Sequence, residues 1–478
     1  MKFLKTTTLM FVALTLFSAC DEKLLEVSPS TSVTIDQAFT DPAIFESYIV
    51  GMYDELFDGN YMPRLQVSMD VQGGDVLVYT ARNFNRYPRE YNFDQTPNGG
   101  YSSDVWFQAY DVIGLANPAI AAVADAPLSA DQKALFEAEL LAFRATSLHM
   151  LTRLFGQPYS AGRDNPSVVL NTEVLDPTAP GLGRSTVGQV YDQIVIDLER
   201  AVTLMPASRS DRSRWTLKAV QGQLARVYLD MEMWQEAADY AELASAGVTL
   251  MSATEWQDGF YQPNSEWLFY GGKTADDSNG FVSPHSFWDS RRLGYSSMRL
   301  GIDFVDNNFT ATDIRGENLL LKDGGGVPII QDAYITTKLF HNAGFVNQEV
   351  FMRASEMLLI EAEAKAELGG AANIADAQAA LLTIQQRADA GVAASGNTGA
   401  ALLEEIYLER RKELYAEGHA YFDMQRLQRD IVRSAAGGHY ASPLNVPFSS
   451  TVRLAPIPQF ELDGNETIRP QQNPGYGS

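Results

Sequence analysis

The sequence predicts a mainly α protein, an α-α superhelix of paired helices broken by irregular, loop-rich insertions. Three observations carry that expectation. Apolar residues recur near the 3.6-residue helical period over several long segments. A similar helix-pair turn occurs twice, at Trp234-Gln235-Glu236-Ala237 and at Ile374-Ala375-Asp376-Ala377. Between these two turns, from about 249 to 348, Gly, Asn, Asp and aromatic residues follow no period.

In chain order, Lys2 and Lys5, the apolar run Leu9 to Phe17 and the small pair Ser18-Ala19 read as a signal peptide over 1–19 that ends at Cys20. The apolar run is too short to span a bilayer. A first helix is expected from Ile35 to Leu56, and 58–100 reads as extended and loop structure. Trp106, Tyr110, Ile113 and Asn117 open another helix, and Leu135 to Phe155 is an amphipathic helix closed by Gly156 and Pro158. Arg184-Ser185-Thr186 reads as a cap leading into a helix from Val187 to Met205, which Pro206 stops. Trp215 to Ser245 is a helical hairpin, and its turn looks like that of a tetratricopeptide repeat, an aromatic wedge followed by small residues. Met352 to Leu368 and the helix containing Ile374 repeat that pattern. The stretch 402–429 reads as one long helix with an elbow at Gly418. On it Glu405, Glu409, Glu413 and Glu417 fall four apart, a repulsive spacing that calls for cations from elsewhere. Arg144, Arg353, Arg387, Arg410, Arg411 and Arg426 are the candidates.

The string Glu409-Arg410-Arg411-Lys412-Glu413-Leu414, then Glu417-Gly418 and Phe422-Asp423-Met424-Gln425-Arg426, resembles the C-terminal signature of the SusD/RagB family of surface nutrient-binding lipoproteins. Phe143-Arg144-Ala145, Leu154-Phe155-Gly156-Gln157-Pro158 and Gln472-Asn473-Pro474-Gly475-Tyr476 resemble further blocks of it, whereas His419 departs from the arginine usual there. The resemblance implies a SusD-like superhelix of tetratricopeptide-type pairs, with an N-terminal half over 20–248 and a C-terminal half over 249–478 holding the loop-rich insertion 249–348. It implies lipidation at Cys20, although Phe17 stands where the lipobox usually has Leu, and Asp21 and Glu22 resemble an export signal to the cell surface. It further implies an oligosaccharide ligand handed to a SusC-like TonB-dependent transporter. Peptide capture in the manner of RagB is an alternative, as is a helical-repeat scaffold without a small ligand.

Composition excludes other classes. With a net charge of −24 over 478 residues the chain lacks the basic surface that nucleic acid requires. One cysteine permits no disulfide framework, and the five histidines show no metal-ligand spacing. No Gly-x-Ser-x-Gly elbow or nucleotide-binding glycine fingerprint occurs, so no catalytic residue, metal or cofactor is expected. Sugars present C–H faces to flat rings and hydroxyls to Asn, Asp and Arg. The loop segments offer such residues in two clusters, from which Asn83, Tyr87, Tyr91, Tyr101, Trp288, Arg292 and Tyr295 are the candidate ligand contacts. Trp106, Trp215 and Trp234 fall in helical patterns and are expected to be structural, and Trp256 and Trp267 are expected in the core.

Overall fold

Asp41 caps the first helix, its carboxylate accepting from the backbone of Ala43 and Ile44, with Pro42 at the first helical position. This computed structural model describes residues 38–79, 83–176, 178–291, 293–317, 319–321, 333–441 and 443–477; the predicted signal segment, Cys20 and Arg292 lie outside them. The described residues form seventeen α-helices and eight short strands.

The superhelix is built from consecutive antiparallel helices: α4 (Tyr101–Val123), α5 (Ala130–Phe155), α6 (Val187–Leu204), α7 (Leu217–Asp230) and α8 (Trp234–Ser245), each packed on the one before. Ser129 and Thr186 start α5 and α6 with capping boxes, completed by Gln132 and Gln189. The next helix in space is α13 (Ala354–Leu368), which packs directly on α8 and then on α14 (Ala371–Ala388) and α15 (Gly399–Leu414). The two repeat-like pairs, far apart in sequence, are therefore neighbours in the stack. Everything between α8 and α13 is an insertion that leaves the superhelix and returns to it.

Three sequence expectations change. Residues 58–100 hold two helices, α2 (Met62–Gly73) and α3 (Pro88–Asn92). Ten of the twelve α2 residues are buried, so both faces are covered and no polar alternation marks it. Met352 lies in strand β6 (Glu349–Arg353), paired antiparallel with β2 (Trp267–Gly271), and the helix begins only at Ala354. The stretch 402–429 is two helices, α15 and α16 (Ala420–Arg426). The first stops at Leu414, where Tyr415 leaves the helical conformation and Ala416 is left-handed, and cations take the carbonyls this frees. The Lys338 ammonium donates to the carbonyls of Glu413 at 2.8 Å and Tyr415 at 2.6 Å, and Arg353 donates to that of Glu413 at 2.9 Å.

A four-stranded antiparallel sheet runs in the order β1 (Val76–Val78), β3 (Met298–Gly301), β5 (Ala333–Thr336), β4 (Leu319–Leu321). Its β1–β3 pair sets Val78 opposite Met298 and Val76 opposite Leu300. The chain leaving β1 and the chain entering β3 thus emerge side by side. One apolar core runs from Phe45 to Ile468. A second lies under the sheet and gathers Trp256, Trp267 and Trp288, and a third joins α13, α14 and α15 through Leu359, Leu381 and Ile406.

Candidate functional site

The glutamate stripe is the first group of titratable residues to place. Glu409, Glu413 and Glu417 have buried side chains, whereas Glu405 is half-buried and, among the described residues, meets Gln385, Ser395 and Asn397 in place of a cation. Glu413 is bound by Arg353 at 2.6 Å, Arg315 at 3.0 Å and Arg387. Glu417 pairs with Arg353 and Lys338, and Glu409 with Arg315. Burial alone would raise the Glu413 carboxyl, yet Arg387, Arg353 and Arg315 together hold it well below the ordinary range. Arg353 and Arg387 are thus among the cations the sequence called for. Arg144, Arg410, Arg411 and Arg426 bind Asp197, Asp423, Asp75 and Glu363 instead. Arg315 and Lys338, which arrive from the insertion, were not foreseen because no periodicity marks their segment. Glu409, Glu413 and Glu417 are each met by a cation, which makes the lattice a tie between insertion and superhelix.

The two aromatic clusters do meet, as the β1–β3 register requires. Tyr87 stands edge-on to Phe287 with ring centroids 4.9 Å apart, and Phe84 edge-on to Tyr295 at 6.0 Å. Tyr295 stacks on Phe287 at 5.0 Å and touches Phe281 at 5.7 Å, with the Arg86 guanidinium 5.4 Å over its ring. Phe84 is 86% exposed and Phe281 49%. An apolar ring standing in water needs a restraint, and the backbone supplies one. Phe84, Asn85, Tyr87 and Phe93 all have left-handed φ, between 53° and 65°, a conformation non-glycine residues adopt only when the surroundings impose it. Asn83 helps to impose it: fully buried, its amide donates to the Arg86 carbonyl at 2.8 Å and its oxygen accepts from the Arg86 backbone N–H.

Next to the rim opens a cavity of about 240 Å³ lined by Asn60, Arg64, Asn85, Arg86, Tyr87, Arg89 and Glu90, among others. Of the candidates from sequence, Tyr295 is on the rim, Tyr87 is in the cavity wall and Asn83 holds the turn between them. Trp288 has no exposed surface and packs in the core beneath the sheet, its ring 6.4 Å from that of Tyr415. Tyr91 and Tyr101 are buried as well, Tyr91 with its hydroxyl 3.0 Å from His439 Nδ1. As stacking faces these three are corrected: Tyr101 lies in the main apolar core, and Tyr91 and Trp288 in the core beneath the sheet. His285, also in the second cluster, is buried, and burial lowers its imidazole to about 4, so it is a neutral core group bonded to the Phe260 carbonyl. Phe281, Asn85, Arg86 and Arg89, which also lie on this rim and cavity, were not singled out from the sequence. The run Asn83-Phe-Asn-Arg-Tyr-Pro-Arg89 held the available signal, since polar and aromatic residues alternate there around a proline.

Two family models match the chain. One, described as the SusD family, covers residues 332–476, and the other, described as starch-binding and associating with the outer membrane, covers 23–229. The chain belongs to the SusD-like family. A SusD-like protein P2 from Formosa agariphila is 24% identical over 98% of this chain and 99% of its own. A SusD-like protein from Bacteroides ovatus is 25% identical, over 89% and 83%. Among solved structures, a SusD superfamily protein from Bacteroides vulgatus has a TM-score of 0.81 at 25% identity, covering 91% of this chain and 98% of its own. A laminarin-binding SusD-like protein has a TM-score of 0.74 at 21% identity, covering 92% and 100%. The SusD-like fold accounts for the interrupted superhelix.

Proposed function

We propose that this SusD-like chain captures an oligosaccharide on the rim formed by Phe84, Phe281 and Tyr295, and passes it to a SusC-like TonB-dependent transporter. The observation that carries the reading is the exposed Phe84 ring, held in solvent by strained backbone beside a polar cavity. Stacking platforms of this kind suit the C–H face of a pyranose, and the neighbouring Asn85 and Arg86 suit its hydroxyls. Family membership and the laminarin-binding relative support the same ligand class. Cys20 would carry the lipid that anchors the chain to the outer face of the outer membrane. Binding without turnover is the proposed activity, since each carboxylate of the lattice is engaged by a cation.

The test is native affinity electrophoresis of the chain from residue 21 onward against a panel of neutral and acidic polysaccharides, with a peptide pool followed by calorimetry. Retardation by one polysaccharide, reduced about tenfold in affinity in Phe84→Ala with the melting temperature unchanged, is the expected result. Because Phe84 is exposed, its loss leaves no cavity, so the two readouts separate binding from folding. Heat with peptides alone, or retardation that survives Phe84→Ala undiminished, would refute the assignment.

A further inference from the structure

We infer that the glycan this site takes is anionic, its carboxylate or sulfate group held by Arg86 and Arg89 in the cavity beside the aromatic rim. The inference rests on the glycan-capture reading and narrows it to a substrate class. Acidic residues outnumber basic ones 60 to 36 in the chain, yet this cavity is lined by three arginines against one carboxylate, Glu90. That carboxylate is already engaged. Arg64 lies 3.8 Å from Glu90 and also pairs with Asp104, which leaves Arg64 compensated. Burial raises the Glu90 carboxyl, with Arg64 acting in the opposite direction.

Arg86 and Arg89 are in a different condition. Both are exposed, and among the described residues neither has a carboxylate within 4.0 Å. The Arg89 side chain donates once, to Thr96 Oγ1 at 3.1 Å, and the Arg86 guanidinium sits over the Tyr295 ring. Buried arginines elsewhere are paired with carboxylates, as Arg144, Arg226, Arg315, Arg353 and Arg426 are, or bonded to backbone carbonyls, as Arg184 and Arg453 are, whereas among the described residues Arg86 and Arg89 have neither. A guanidinium presents a planar fork that matches a carboxylate or a sulfate with two parallel hydrogen bonds, and ammonium groups do not. Stacking against Tyr295 orders Arg86 before any ligand arrives, which lowers the entropy lost on binding. The strained turn from Phe84 to Tyr87 places the stacking ring and this fork within four residues of each other. A sugar ring on Phe84 would therefore set its acidic substituent toward the arginines.

Calorimetry on the chain from residue 21 onward tests this with three tetrasaccharides: tetragalacturonate, a sulfated carrageenan tetrasaccharide and neutral laminaritetraose. The expected result is at least tenfold tighter binding of an acidic probe than of the neutral one. The preference should be lost in Arg86→Gln and in Arg89→Gln, and weakened severalfold between 50 and 500 mM salt. Which acidic probe binds separates carboxylate from sulfate recognition. Laminaritetraose bound as tightly as the acids, or acid binding unchanged in both arginine variants, overturns the inference while leaving glycan capture standing. A panel in which no glycan is retained removes both.

Discussion

Glu361 shows how far a single titratable residue in this superhelix departs from ordinary behaviour. It lies on α13, partly buried, facing Glu242 on α8 and Asp376 on α14, with the Lys365 ammonium one turn along its own helix. Burial, then Glu242, push its carboxyl up to about 7, against an opposing pull from Lys365. A carboxyl whose folded value lies above its unfolded value of about 4.5 contributes stability that is fully present below that lower value and is lost as the pH rises through 7. Replacing it by an uncharged isostere removes the cost of ionisation in place. Glu361→Gln should therefore raise the melting temperature by about 1–3 °C at pH 8.5 and leave it unchanged at pH 4.5. Thermal melts at both pH values check this, and an equal shift at the two would show that packing, not ionisation, is responsible.

At the scale of elements, the contact between α2 and the turn from α15 into α16 depends on Gly418. Its φ of +82° is left-handed, and a Cβ there would lie 2.7 Å from Gln66 Cα, so the obstacle is backbone and cannot rotate away. Gly418→Ala should cost about 2–4 kcal/mol, seen as a lower denaturant midpoint with an unchanged slope. A loss under 0.5 kcal/mol would mean that α2 can retreat at no cost. That glycine was legible in the sequence as an elbow, and so were the amphipathic helices, whose polar faces betray them. What stayed hidden has a common physical reason. Helix α2 is covered on both faces, so burial erased its period, and α15 ends at Leu414, where Lys338 and Arg353 take the freed carbonyls from distant segments. At the candidate site, Tyr295 and the 83–100 segment were legible as polar-aromatic runs, whereas the exposure of Phe84 follows from the left-handed turn and the burial of Trp288 from packing beneath the sheet, which no local pattern encodes.

At the scale of the molecule, the question is what keeps an inserted sheet and a superhelix in one cooperative unit. The core beneath the sheet and the core joining α13, α14 and α15 are separate, and the ion lattice lies between them. Arg315 crosses from the insertion to Glu409 and Glu413 on α15, Lys338 crosses to Glu417, and Arg353 at the end of β6 joins Glu266, Glu413 and Glu417. Glu413 is the residue that Arg315, Arg353 and Arg387 share. Removing one member of a buried ion pair costs about 3–5 kcal/mol, because the partners remain buried and uncompensated. In Glu413→Ala the cost falls on the junction rather than inside either core. The native chain should melt in a single transition, with tryptophan fluorescence and far-ultraviolet circular dichroism coincident. In Glu413→Ala part of the fluorescence change should come first, since three of the six tryptophans, Trp256, Trp267 and Trp288, sit in the core beneath the sheet while Trp106, Trp215, Trp234 and the helical signal belong to the superhelix. Two probes that stay coincident in the variant would place the coupling in the apolar contacts instead, and the lattice would then be a local tie rather than the joint between the two parts.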